Sequence, residues 1–209
     1  MHRCAPRRQG RFSFLTPRTP FGDRVLTIFR ARPDGSPPWD GRIDWDGHGD
    51  GHGDGTSARA ALGKAGVIAA SDKREGDNRS PAGTWPIRYV LYRPDVYPDG
   101  PATALETRPI APDDGWCDAP GDPAYNRPVK LPYPVSAERL WRDDHVYDLV
   151  VVLGHNDDPP VAGLGSAIFL HLARDGYPGT EGCVALARAD VEALLAAARP
   201  GDVVEIAAG

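Results

Sequence analysis

The sequence predicts a β-rich, mixed α+β fold: a single sandwich- or barrel-like domain with a few short helices and long Pro/Gly-rich loops. Three observations carry this expectation. The 209 residues include 24 Gly and 22 Pro, a density of turn formers that suits many short strands and defeats a helical bundle. Runs of β-branched and aromatic residues, such as 25–30, 149–153 and 203–206, recur between turn-rich stretches. One sustained helical stripe stands out, formed by Val191, Leu194, Leu195 and Ala198. The length is enough for one domain with its own core.

In chain order, residues 1–22 are basic, Pro-containing and aperiodic, and are expected to be a flexible leader to a domain spanning 23–209. Arg7 and Arg8 precede Phe12 and Phe14, but the apolar stretch of roughly 7–15 residues that an export signal needs does not follow. No apolar run nears the roughly 20 residues of a membrane span. Residues 25–30 read as a first strand, ended by Asp34-Gly35-Ser36-Pro37-Pro38, and 41–46 alternate like a half-buried second strand. Residues 47–55 repeat Gly-His-Gly-Asp. His48, Asp50, His52 and Asp54 are metal-ligand types, yet dense glycine without an apolar anchor favours a solvated hairpin insertion.

Residues 58–62 and 64–68 resume the sheet. A polar loop at 72–79 enters a strand through Ser80-Pro81-Ala82-Gly83-Thr84-Trp85, continued by Arg88-Tyr89-Val90-Leu91-Tyr92. Residues 93–134, rich in Pro and Asp, read as a loop too long to be inert in a compact domain. Residues 136–141 read as a short helix with Ser136 as N-cap. Leu149-Val150-Val151-Val152-Leu153 reads as a strand buried on both faces, delivering Gly154-His155-Asn156-Asp157 to its end. Leu186 and Val191 are placed to staple the start of the last helix, Pro200-Gly201-Asp202 stops it, and 203–206 close the sheet.

The chemistry concentrates in residues 166–186. The apolar run 167–170 brings His171 to a strand end, and a turn-rich loop leads to Gly182-Cys183-Val184. Cysteine attacks carbonyls as the thiolate, so an imidazole able to take its proton is the minimum equipment for acyl transfer. Gly182 permits a tight turn before the thiol, with the nearby amides available to a developing oxyanion. The bland alternative is a buried apolar cysteine and a hydrogen-bonded structural histidine. Elsewhere, Trp116 and Tyr125 offer flat surface and Asn126 and Arg127 offer directed donors, which suits either a cleft for peptide or sugar or a loop packed by its own aromatics. His155 and Asn156 either flank the same cleft or form a surface turn. A net charge of −5 gives no support for nucleic-acid binding. Cys4, Cys117 and Cys183 are odd in number and widely spaced, so no disulfide framework is expected.

Residues 166–186 resemble the active-site segment of the YkuD-type L,D-transpeptidases, in which a strand ends in His and a loop runs to a Ser/Thr-His-Gly-Cys turn. Thr180-Glu181-Gly182-Cys183 occupies that turn. The resemblance implies Cys183 as nucleophile and His171 as general base, its ring held by a backbone carbonyl just beyond it. Glu181 stands where the family usually has a second His, Ala185 sits near where many members carry Arg or Asn, and the His171–Cys183 loop is short. Residues 80–85 resemble the family's Thr-Pro-x-Gly-x-Phe strand entry, and the segments around Trp116 and Tyr125 are similar to those of a Gram-negative branch. The family implies acyl transfer on peptidoglycan stem peptides in the periplasm or cell envelope by a monomer, without metal or organic cofactor. Thr180 and Glu181 would meet substrate, with Glu181 paired to Arg174, Arg127 or the substrate's own amine, or left in solvent. Two competing readings are a non-catalytic wall-binding module and a zinc protein using Cys117, His155, His171 and Cys183, the latter without the close ligand pairs such sites show.

Overall fold

The computed structural model describes residues 26–46 and 55–208. The expected leader, and the whole glycine-histidine insertion except Gly55, lie outside the described residues. Among the described residues thirteen strands follow in the order β1 (Ile28–Pro33), β2 (Asp40–Trp45), β3 (Thr56–Ala61), β4 (Val67–Ala69), β5 (Ser80–Tyr92), β6 (Thr107–Pro109), β7 (Asp114–Cys117), β8 (Pro128–Lys130), β9 (Ala137–Arg139), β10 (Leu149–Leu153), β11 (Phe169–Leu172), β12 (Val184–Leu186) and β13 (Val203–Ile206). A 3-10 turn at Ala70–Asp72 follows β4, and helix α1 (Arg188–Ala197) precedes β13.

Ten of the strands form one sheet that closes on itself. Its path runs β10-β11-β12-β3-β2-β1-β13-β5, and β5 pairs again with β10. Closure gives each of these eight strands a partner on both sides, while β4 and β6 each pair with β5 alone. β8, β7 and β9 form a separate three-stranded sheet. β10 is buried along its whole length because it lies between two cores. Leu149, Val151 and Leu153 belong to the main core with Phe29, Ile43, Leu170, Val184 and Val204, and α1 contributes Val191, Leu194 and Leu195 to the same core. Val150 and Val152 point the other way, into a second core with Trp116, Leu140, Tyr147, Phe169 and Cys183. This second core packs the small sheet against the barrel wall.

The expected β-rich fold is present, with some elements displaced. The first strand begins at Ile28 and runs to Pro33, because its partner β13 pairs from Ile28↔Val203 onward. The sheet expected at 64–68 is confined to Val67–Ala69. The stretch 93–134 is not a structureless loop: β6, β7 and β8 lie within it. Residues 136–141 are not a helix. Ala137–Arg139 is β9, pairing Glu138 with Trp116 and Ala137 with Cys117. A six-residue helix has a costly nucleus and few internal bonds, whereas strand pairing satisfies the same backbone at once.

Candidate active site

The parallel pairing of β11 and β12 sets the site. Leu170 stands opposite Val184 and His171 opposite Ala185. Strand alternation sends Leu170, Leu172, Val184 and Leu186 into the main core and leaves His171 and Cys183 on the opposite face. Cys183 lies two residues before Ala185, the register partner of His171, so the two fall on the same face of the parallel pair. Both line one cavity of about 620 Å³, between the barrel wall and the small sheet.

The nucleophile turn is held from several sides. The Cys183 carbonyl accepts hydrogen bonds from Thr180 Oγ1 at 2.7 Å and Ser80 Oγ at 3.3 Å. Ser80 thereby gives the 80–85 motif a role: the start of β5 docks the turn. Gly182 adopts φ +137°, and a Cβ there would lie 2.9 Å from the Arg79 carbonyl oxygen, so the turn needs glycine twice over. The Gly182 amide donates to Thr180 Oγ1 at 3.1 Å and is engaged within the turn. Cys183 Sγ accepts from the Phe169 amide at 3.4 Å and donates to the Ala167 carbonyl at 3.2 Å, so the thiol is turned to the backbone rather than to the imidazole.

His171 Nδ1 lies 2.9 Å from the Leu172 carbonyl. A carbonyl only accepts, so Nδ1 carries the proton and Nε2 keeps a free lone pair. Burial, reinforced by Arg174 and Arg142, drives the imidazole down to about 4, against the pull of the Leu172 carbonyl. Burial, and after it the Glu138 carboxylate, pushes the Cys183 thiol up to about 12. Both groups are therefore neutral at pH 7, and an imidazolium–thiolate pair is not the resting state.

Several lining residues escaped the sequence reading. Glu138, whose carboxyl is raised chiefly by burial, accepts from Tyr147 Oη at 2.7 Å, and the Tyr147 ring stands edge-on to His171 at 5.2 Å. At the rim Arg142 and Arg174 share Asp144, at 2.7 and 2.8 Å, and Lys64 faces Glu181 at 3.9 Å. The Arg142 guanidinium, first of all, holds the Asp144 carboxyl well below the usual range. Glu138 was hidden because its strand reads locally as helix. Arg142 carries no sequence signal that separates it from other surface arginines, and Arg174, expected as a partner for Glu181, pairs with Asp144 instead.

The other expected contacts fall elsewhere. Thr180 and Glu181 line the cavity, but Glu181 is 88 % exposed and its partner is Lys64, not Arg174 or Arg127. Trp116, Tyr125, Asn126, Arg127, His155 and Asn156 are not in the wall around the thiol. Asn126 is buried, accepts from Trp116 Nε1 at 2.9 Å and the Ala167 amide at 3.0 Å, and donates to the carbonyls of His155 and Asn156. Tyr125 donates to Glu75, which also accepts from Ser166 Oγ. These side chains fix the segment carrying Ala167, and so act on the thiol at one remove. Trp116, Asn126 and Arg127 also border a second cavity of about 420 Å³ over Phe169. His155 packs edge-on against Trp85 with Nε2 on the Leu164 carbonyl, and Asn156 bonds Val161 and Gly165. Buried polar groups in a tight loop first satisfy one another, which is why donors that look free in sequence are spent here.

Among the described residues, no three His, Cys, Asp or Glu side chains converge as a metal site. Cys117 is fully buried in β7, and nothing joins it to His155, His171 and Cys183 as a zinc set. Among the same residues no helix is long and apolar enough to cross a membrane. A family model described as the YkuD L,D-transpeptidase catalytic domain matches residues 49–206. No curated protein and no solved structure matches the chain.

Proposed function

The chain belongs to the YkuD family of L,D-transpeptidase catalytic domains, and from that premise we propose that it is a cysteine acyltransferase working through a thioester on Cys183. The family acts on peptidoglycan, which points to the periplasm or cell envelope as the place of work. The observation that carries the reading is the shared cavity: Cys183 and His171 open into one space, and the Leu172 carbonyl leaves Nε2 as the free basic atom.

On this reading the S–H proton passes to His171 Nε2 as the sulfur attacks an amide carbonyl of the stem peptide. The Cys183 amide serves the oxyanion. The C–N bond then breaks, the departing D-amino acid takes the proton from His171, and a thioester remains. An incoming amine gives up a proton to His171 as it attacks the thioester; the C–S bond then breaks, the Cys183 sulfur leaves and takes that proton back from His171, and a cross-link is released, or a trimmed peptide where water attacks in its place. Because both groups rest neutral, proton transfer is coupled to attack rather than completed beforehand. The cationic rim of Arg142, Arg174 and Lys64 suits the substrate's carboxylates, and Glu138 and Glu181 suit its amine.

The test is product analysis of stem-peptide fragments by mass spectrometry, with wild type and Cys183→Ala. Cross-linked or trimmed peptides should appear with the wild type alone. Equal products from Cys183→Ala would overturn the assignment.

A further inference from the structure

The polar loop before β5 takes no part in the chemistry above, yet its Lys73 is only 2 % exposed. A buried ammonium is expensive, and a buried ion pair is seldom worth more to stability than apolar residues of the same size. Something other than packing has to explain a charge at this point. The loop is built around that charge. Lys73 Nζ donates to Asp77 Oδ1 at 2.5 Å and to the Arg74 carbonyl at 3.1 Å, while the Arg74 and Arg79 amides each donate to Asp77 at 2.8 Å. The carboxylate is fixed by backbone, and the carboxylate fixes the ammonium.

The place where it is fixed lies behind the nucleophile turn. A Cβ on Gly182 would come within 3.5 Å of Lys73 Nζ, and one on Gly165 would come within 2.9 Å of Lys73 Cε and 3.1 Å of Cγ. The lysine is clamped between the two segments that touch the thiol. One leads from Gly165 to Ala167, whose carbonyl takes the S–H, and the other is Gly182-Cys183 itself. Apart from the Phe169 amide, which donates to the sulfur at 3.4 Å, the remaining groups near it do not favour negative charge. Glu138 from β9 and Glu181 from the turn repel it, the Tyr147 hydroxyl is engaged with Glu138, and His171 is neutral at rest.

We propose that Lys73 is a positioning residue for the nucleophile: held by Asp77 between Gly165 and Gly182, its ammonium fixes the turn and offsets the negative charge that develops on Cys183 sulfur. The inference rests on the acyltransferase reading of the site, but its test needs no substrate. The rate of iodoacetamide labelling at Cys183 is followed against pH, by peptide mass, in the full chain and in the double variant Lys73→Met/Asp77→Asn, which removes both charges together. Thermal unfolding is measured in parallel.

The double variant should fold with a modestly lowered melting temperature, because removing the charge pair is commonly tolerated but asparagine accepts on only one of the two atoms that hold the Arg74 and Arg79 amides. Its labelling profile should move up by about one pH unit, roughly tenfold in rate at a fixed pH on the limb. An unmoved profile in a folded double variant overturns the proposal. If that variant does not fold, Asp77→Asn alone decides: the ammonium then faces the sulfur without its counter-charge and the profile should move down, whereas no movement or an upward one overturns the proposal. A wild type that shows the labelling behaviour but makes no product from stem peptides would sink the functional reading and leave the electrostatic one standing.

Discussion

Asn126→Ala separates a structural node from a substrate contact. The side chain accepts from Trp116 Nε1 and the Ala167 amide and donates to the carbonyls of His155 and Asn156, from a residue 3 % exposed and at φ 56°. Each such bond contributes about 1 kcal/mol net, and partners left buried and unpaired raise the loss. Alanine also resists the left-handed region by about 1 kcal/mol, where asparagine is tolerated. The expected cost is about 4–5 kcal/mol, a large share of a domain's roughly 5–15 kcal/mol. At about 2–4 °C per kcal/mol for a domain of this size, the melting temperature should fall by roughly 8–20 °C. Asn126→Gly, which keeps the backbone geometry and loses the bonds, should be less damaging than alanine by about 1 kcal/mol. Differential scanning calorimetry of the three proteins checks both steps. A fall of less than about 3 °C, with KM for the stem peptide raised instead, would refute the node and return Asn126 to substrate binding.

Gly182→Ala should cost about 1–3 kcal/mol, because the new Cβ meets the Arg79 carbonyl at φ +137°; unfolding by urea measures it, and a neutral result would contradict the turn geometry. Glu138→Gln keeps an acceptor for Tyr147 and removes the charge nearest in effect to the thiol, so Cys183 labelling should shift to lower pH. Burial remains the larger cause, so the shift should be modest, and an upward shift would count against the assignment. His171 is held down to about 4 in the folded chain, against 6.5 when free. As pH falls from 6.5 to 4 the unfolded chain binds the proton first, so this group's contribution to stability is present above 6.5 and drains away through that window. The stability gap between wild type and His171→Gln should therefore narrow on acidification, and a constant gap would contradict the burial of the imidazole.

What could be read from the sequence follows from how strongly each element is marked. The run 149–153 is apolar at every position because two cores claim it, and the strand lies where the run does. The stripe of Val191, Leu194 and Leu195 likewise marks α1. β6, β8 and β9 are three residues each, too short to show any period, and their existence depends on partners distant in sequence. The same limit governs the site. Cys183 and His171 are visible because their chemistry is rare and their flanks are apolar. Glu138 needs the β7–β9 pairing before it can be placed near sulfur. Asn126 looks like an exposed donor until the fold surrounds it with four backbone and indole partners.

The central claim is a covalent bond between substrate and Cys183. Wild type mixed with a stem tetrapeptide, quenched in acid within the first turnover and analysed as intact protein and then as peptides, reads it directly. The expected result is an added mass equal to the peptide less its departing D-amino acid, carried by the peptide containing Cys183 and absent from Cys183→Ala. Adduct-free protein during turnover, or the same mass on another residue, would contradict the account.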